Sequence, residues 1–425
     1  MRTIALAAVL LVSSAVPKPP AAGAQASRPM PLTELIAAAE QRNPAIVAAR
    51  QAVAAAEARV VLARSGRGPT VTATGSAGTA GGGTATATPS FSSSVSVGAS
   101  YVLYDSGQIA HAVRQAEAGL KAARLALEAT RQDVAQAVAL AYVAVLRAER
   151  TVAQRQQVVV QNQELVRLAE GQFRAGVVPR ADVVRAQAGL AAAEGELLVA
   201  QNAFEQSKAT LNAAIGLSPA APIAVAPPPP VPPLTVTAAA LAGLVEQRPE
   251  VRRAQADIEA AEAALALAAA GGGLRVTVDG RVSQAWNPSQ QTTYAVGGTV
   301  SLPLSDAGRV QAQVAEAAAD LVAARARIET TRVSVQQQAL AALLAVQSAR
   351  ARIASARAGL AFAQEALRLA QGRYAAGAGP FLEVIDAQTA LVQAEVTLAQ
   401  AEFDEVAAVI SLRYALGRSV VDGAI

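Results

Sequence analysis

The sequence predicts a mainly α chain with a small β part, built as two internal repeats of one unit. Asp105-Ser106-Gly107 returns as Asp306-Ala307-Gly308, and Phe173-Arg174-Ala175-Gly176 returns as Tyr374-Ala375-Ala376-Gly377, both at an offset of 201. Each copy carries two short runs in which apolar residues alternate with small polar ones, the period of a strand. Each then enters a Pro-free stretch of about 66 residues with apolar positions seven apart, which at 1.5 Å per residue gives roughly 100 Å of helix. Few soluble domains are that wide.

The elements follow in order. Arg2, the apolar run Ile4 to Val12 and Ala24-Gln25-Ala26 read as an export signal over 1–26, with the Pro17-Lys18-Pro19-Pro20 cluster breaking any longer helix. Repeat 1 then covers 27–218. Its first helix, 44–65, starts at Asn43-Pro44, with Asn as N-cap and Pro in the first turn, and stops at Ser65-Gly66. Strands follow at 70–78 and 91–103, joined across Gly81-Gly82-Gly83; Val71, Phe91, Val95, Val97, Tyr101 and Leu103 share the apolar side, and Thr and Ser the other. A long helix over 107–172 carries Val113, Leu120, Leu127, Val134, Ala141 and Ala148 at heptad spacing, with Ala116, Ala123, Ala137 and Ala144 between them, and predicts a left-handed supercoil. After a Gly-and-Pro turn, 180–215 returns as an antiparallel helix.

A Pro-rich linker, 219–236, leads to repeat 2 over 237–418 and a tail over 419–425. Repeat 2 holds a helix at 249–269, strands at 274–286 and 292–303 around Asn287-Pro288-Ser289, a long helix at 308–373 and a partner helix at 381–416. Its heptad positions Val314, Leu321, Ile328, Val335, Ala342 and Ala349 match the first copy one for one.

Composition narrows the function. The chain is 52% apolar but only 3% aromatic, so Ala, Val and Leu dominate and helices can approach closely. With no Cys and one His, His111, disulfides, thiolate metal sites and histidine metal sites are excluded, as is a lipid anchor on an N-terminal thiol. Cofactors are therefore expected to be none. The net charge of +4 is modest and Arg is interleaved with acids, which gives no basic patch for nucleic acid. Nothing forms a nucleophile–base pair or a phosphate-cradling loop, and the triple glycines lie at strand boundaries, so no enzyme is expected.

After Val16 no uncharged apolar stretch reaches the 18 or so residues of a membrane-spanning helix, so an exported chain that enters a membrane must use its strands. Four strands cannot close alone: transmembrane barrels begin at about eight, and an open edge in lipid strands backbone groups at several kcal/mol each. Oligomerisation is thus required, with Ser and Thr lining a lumen and the apolar side facing lipid. Because Ala recurs on several helix faces, the helices can pack side by side into a cylinder. The fold class expected is long coiled-coil hairpins forming an α-barrel, plus a transmembrane β-barrel to which each chain gives four strands.

The order helix, hairpin, long helix, antiparallel helix, stated twice, together with Tyr104-Asp105-Ser106-Gly107-Gln108, Pro303-Leu304-Ser305-Asp306-Ala307-Gly308-Arg309, Asp182-Val183-Val184-Arg185-Ala186-Gln187 and Glu383-Val384-Ile385-Asp386-Ala387-Gln388, resembles the TolC family of outer-membrane efflux proteins. That resemblance implies a homotrimer with a 12-stranded barrel and a periplasmic tunnel, located in the outer membrane. It also implies docking to a periplasmic adaptor and an inner-membrane pump, for efflux or type I secretion of small molecules or proteins. Glu383 and Asp386, one helix turn apart, match the family's acidic ring at the periplasmic aperture; the plainer reading is that acids favour a helix N-terminus. Asp182 and Tyr374 match its closing contacts, while Gly379 and Pro380 stand where a basic residue is often found.

The tips Ala175, Gly176, Val177 and Val178, and Ala376, Gly377, Ala378 and Gly379, are the expected adaptor-docking surface, since apolar side chains at an exposed turn invite a cover. Tyr101, Trp286 and Tyr294 are expected as aromatic anchors at a lipid boundary. The rival is an exported coiled-coil structural or adaptor protein without a pore, for which the two strand hairpins have no use.

Overall fold

A computed structural model describes residues 29–80, 90–176, 178–227, 243, 245–287, 289–376 and 378–418. The segment expected as an export signal, 1–26, the stretch around Gly81-Gly82-Gly83, most of the Pro-rich linker and the last residues lie outside them. The elements run α1 (Leu32–Arg42), α2 (Pro44–Ser65), β1 (Thr70–Ala80), β2 (Ser90–Tyr104), α3 (Gln108–Arg174), α4 (Arg180–Ile215), α5 (Pro249–Ala270), β3 (Arg275–Asn287), β4 (Ser289–Ser301), α6 (Arg309–Ala375) and α7 (Phe381–Ala415). Helix α1 is absent from the sequence reading. It is short, starts after Pro31 with no side-chain cap, and buries Leu35, Ile36 and Ala39. Strand β4 sits at Ser289–Ser301 where 292–303 was expected, because Asn287 already pairs with Ser289 and Pro303 has no N–H for a ladder.

The strands form one antiparallel sheet in the order β1-β2-β3-β4. Its register matches like with like. Ala73 pairs with Val97, Val97 with Val282, and Val282 with Tyr294, so one face is apolar across all four strands. On the other face Ser96 pairs with Ser283 and Ser283 with Thr293, whose hydroxyls lie 2.6 Å apart, while the Ser76 and Ser94 hydroxyls lie 2.8 Å apart. Because the side-chain period is two, slipping one strand by a single residue would mix the faces. Among the described residues no layer covers the apolar side: Tyr294 is 77% and Val296 86% exposed, and all of β4 is exposed. Among the described residues the outer edges of β1 and β4 are unpaired.

Each hairpin passes into a 67-residue helix through the repeated Asp-X-Gly turn. Ser106 and Gly107 (φ 55° and 86°), like Ala307 and Gly308 (φ 54° and 83°), are both left-handed, which reverses the chain sharply and explains the glycine. The carboxylate then caps the helix. Asp105 accepts from Gly107 N at 3.0 Å and Ile109 N at 2.6 Å, and Asp306 from Gly308 N at 3.1 Å and Val310 N at 2.9 Å. The Val310 N–H holds the Asp306 carboxyl below the usual carboxylate range, with smaller help from Gly308 and Arg309.

Helices α3 and α4 form one long hairpin and α6 and α7 the other, with α2 on α3, and α5 between α3 and α6. On α6 the seam is regular: Ala339, Val346, Ile353 and Leu367 are buried at multiples of seven, with Ala349 and Ala370 on the alternate register. On α3 only Val113, Val134 and Ala141 of the expected heptad are buried; Leu120, Leu127 and Ala148 are half-buried, and Ala137 and Ala144 face outward. The cause is a broad belt over 134–146, where Val138, Tyr142 and Val145 meet α1, the end of α4 and Ile223. Tyr142 donates to Ala226 O at 2.5 Å, and burial pushes its phenol up.

In each repeat the start of the helix that precedes the strands locks onto the end of the last helix. Asn43 Nδ2 donates to Ala214 O at 2.7 Å, while its Oδ1 caps α2 by accepting from Ala45 N at 2.9 Å. In repeat 2 the lock is Arg248, 1% exposed. Its guanidinium grips Glu250 through Nη2 at 2.6 Å and Nε at 3.0 Å, lies 4.5 Å from the Tyr414 ring centroid, and donates to Tyr414 O. The Tyr414 hydroxyl donates to Asp133 of α3 at 2.5 Å. Burial first, and Asp133 second, push the Tyr414 phenol up to about 12.

Candidate functional site

The ends of the long hairpins, furthest from the sheet, hold the acidic pair. Both turns have one construction. Ala175 N donates to Gly171 O at 3.1 Å and Ala376 N to Gly372 O at 3.1 Å, ending α3 and α6; Pro179 and Pro380 then open α4 and α7 from extended backbone. Gly176 is left-handed at φ 73°. Ala175, Gly176, Ala376 and Ala378 are exposed, and Val178 and Gly379 half-buried; Val177 and Gly377 lie outside the described residues. The tips also expose Phe173 and Leu382, which the sequence reading did not place on the docking surface.

Glu383 stands in the first turn of α7 and Asp386 one turn on, exposed. Glu383 faces Arg373 in the last turn of α6: Nη1 is 3.3 Å from Oε2. Gly379 and Pro380 carry no charge, and the cation beside Glu383 is Arg373, across the turn. Asp182 occupies the matching first turn of α4, its N–H on Pro179 O at 3.1 Å. Tyr374 packs on Leu367, Ala370 and Val384 and donates its hydroxyl to Gln172 Oε1 of α3, which ties the two hairpins together. Gln172 carried no sequence signal, since only the approach of two distant helices gives it a role.

Further along the same seam, Gln388 Nε2 donates to Gln161 Oε1 at 2.7 Å, Gln154 Nε2 reaches Glu395 O at 3.4 Å, and Arg147 reaches Asp404 at 3.4 Å. From the tip to Glu395 polar arms bridge the hairpins, while nearer the belt Phe403, Val406 and Ile410 of α7 join the apolar cluster of α3. The polar part of this seam separates more cheaply than the coiled coils beside it.

At the sheet, Trp286 lies near the far end of β3, opposite Ser93 and Gln290, and Tyr101 lies opposite Val278 toward the helices. The structure moves Tyr294 from the edge to the middle, since it pairs with Val282. Tyr104, exposed and opposite Val276, is the aromatic residue at the helical edge. From Val276 to Trp286 is about 33 Å of strand, or roughly 25 Å of height at a tilt near 40°.

Among the described residues no helix is long and apolar enough to cross a membrane, and no group of His, Cys, Asp or Glu is arranged to hold a metal.

Known proteins share this architecture. Residues 35–217 and 241–418 match the family described as outer membrane efflux protein, one stretch in each repeat. Protein CyaE of Bordetella pertussis is 29% identical over 317 residues, covering 72% of this chain and 64% of CyaE. Outer membrane efflux protein BepC of Brucella suis is 28% identical over 322 residues, covering 74% and 69%. Among solved structures, CusC superposes with a TM-score of 0.81 at 21% identity, over 91% of this chain and 92% of its own. The outer membrane protein VceC of Vibrio cholerae gives 0.78 at 23%, over 92% and 96%. Such identities establish the fold, and the family match covers most of the sequence. The chain belongs to the outer membrane efflux protein family.

Proposed function

We propose that the protein is the outer membrane channel of a tripartite efflux or type I secretion system, carrying small molecules or proteins from a periplasmic tunnel to the cell exterior. The observation that carries this reading is the sheet: one face on which Val95, Val97, Tyr101, Val278, Val282, Tyr294, Val296 and Val300 form an exposed apolar band, beside two edges that are unpaired among the described residues. In water such a surface aggregates; in lipid it is the required outside of a barrel. Strands β1 and β4 run in opposite senses, so copies meet edge to edge in antiparallel fashion. Three copies supply twelve strands, with the Ser and Thr face around water. The height from Tyr104 to Trp286 suits the apolar band of such barrels. A pore-free rod or adaptor gives this sheet no role.

In the same reading 1–26 is the export signal and the helical hairpins extend through the periplasm. Glu383 and Asp386 ring the aperture, Asp182 and Tyr374 help close it, and Ala175 to Val178 with Ala376 to Gly379 meet the adaptor of an inner-membrane pump. The polar α3–α7 seam supports a tip that an adaptor can open. The test is reconstitution of the purified mature chain into planar bilayers. Stepwise ion conductance from a detergent-dependent trimer is expected; a detergent-independent monomer with no conductance would overturn the proposal.

A further inference from the structure

The second tip carries a cation of its own against the acidic pair. Arg373 ends α6 and Glu383 begins α7, so their contact spans the turn, with Nη1 3.3 Å from Glu383 Oε2 and Nη2 3.5 Å from Ala378 O. Each charge also suits its helix end, a cation at a C-terminus and an anion at an N-terminus. Gly379 makes the room: a Cβ there would stand 3.1 Å from Glu383 Oε2 and 3.2 Å from Arg373 Cβ, tight against both partners. Asp386 is exposed, with no cation at ion-pair distance among the described residues. The first tip is built otherwise, for the positions of Arg373 and Asp386 are held there by Gln172 and Arg185.

Resting on the channel reading above, we propose that Arg373 is a built-in counter-cation that sets how strongly the aperture holds multivalent cations. Three copies gather six carboxylates from Glu383 and Asp386, and three guanidiniums from Arg373 reduce that charge by half. The pair is solvent-exposed, so its contribution to stability is small. Its effect is on the field at the axis, where three copies of each group add. For a trivalent cation, three guanidiniums within one screening length of the axis, about 10 Å at 0.1 M salt, change the half-blocking concentration by at least about tenfold.

The test is block of single channels in planar bilayers by hexaamminecobalt(III), added from the tip side at about 0.1 M salt, where the screening length is about 10 Å. Arg373→Gln is expected to lower the half-blocking concentration at least about tenfold, and Asp386→Asn to abolish block. Arg373→Gln with Glu383→Gln restores the charge count and is expected to return block to within about threefold of the parent. Conducting trimers of Arg373→Gln with unchanged block would overturn the counter-cation, as would a double variant that blocks like the single one. Failure of the parent chain to conduct at all would instead count against the channel reading.

Discussion

Replacing Arg248 by Ala is expected to cost about 3 kcal/mol or more, the lower part of the range for breaking a buried ion pair. The guanidinium is almost fully enclosed and answers three groups at once: the Glu250 carboxylate, the Tyr414 carbonyl and the Tyr414 ring. Without it the carbonyl at the end of α7 loses its donor and Glu250, 30% exposed, is only partly rehydrated, which keeps the cost from reaching the top of the range. Arg248→Met with Glu250→Gln removes both charges and fills the space, so it is expected to recover most of the loss. The comparison is Arg325→Ala, which breaks an exposed pair with Glu262 at 3.1 Å and should cost no more than about 1 kcal/mol. Thermal unfolding of the detergent-solubilised protein checks this; equal losses in Arg248→Ala and Arg325→Ala would refute a structural role for the lock. The neighbouring Tyr414 adds a pH limit. Its phenol is raised from about 10 to about 12, so the fold favours the protonated form; that contribution is complete below pH about 10 and is lost as pH rises toward 12.

Val282→Arg is expected to reduce assembly in lipid by about 2–4 kcal/mol, the cost of Arg at the midplane of a barrel's outer face. Val282 lies between Val97 and Tyr294, midway along the apolar band. Ser283→Arg, one residue on and on the opposite face, places the same charge in the lumen and should leave assembly near that of the parent. Folding yield into lipid vesicles, read as heat-resistant trimer, separates the two. If both variants assemble equally, the apolar face is not the lipid face.

The elements with a period of their own were legible from sequence: the alternating strands, the long Pro-free helices and the Asp-X-Gly turns that mark both copies. What escaped depends on distance through space. Helix α1 is short, and its apolar pattern gains meaning only when α3 and α4 close over it. Arg248 and Tyr414 are separated by most of repeat 2, so no local pattern joins them. Tyr294 looked like an edge residue until the β3–β4 register placed it opposite Val282. At the tips, the acids were visible at their helix starts, whereas Arg373 and Gln172 gained partners only through the turn and the meeting of the hairpins.

Closure of the barrel between copies is tested most directly by disulfide trapping, and the absence of native Cys gives a clean background. The internal repeat supplies the register. Segment 66–78 corresponds to 271–283, as Val71-Thr72-Ala73 to Val276-Thr277-Val278, and 94–107 corresponds to 295–308. Within the chain Gly98 of β2 pairs with Arg281 of β3, so between copies Thr299 of β4 should pair with Ser76 of β1. Both lie on the polar face, and the Cα separation of such a pair, about 4.5–5.5 Å, suits a disulfide. Oxidation of Ser76→Cys with Thr299→Cys should yield covalent dimers and trimers and nothing larger, while Ala77→Cys with Thr299→Cys, which points to opposite faces, should not react. Monomers only, or a ladder running past three, would contradict closure of the sheet by three copies.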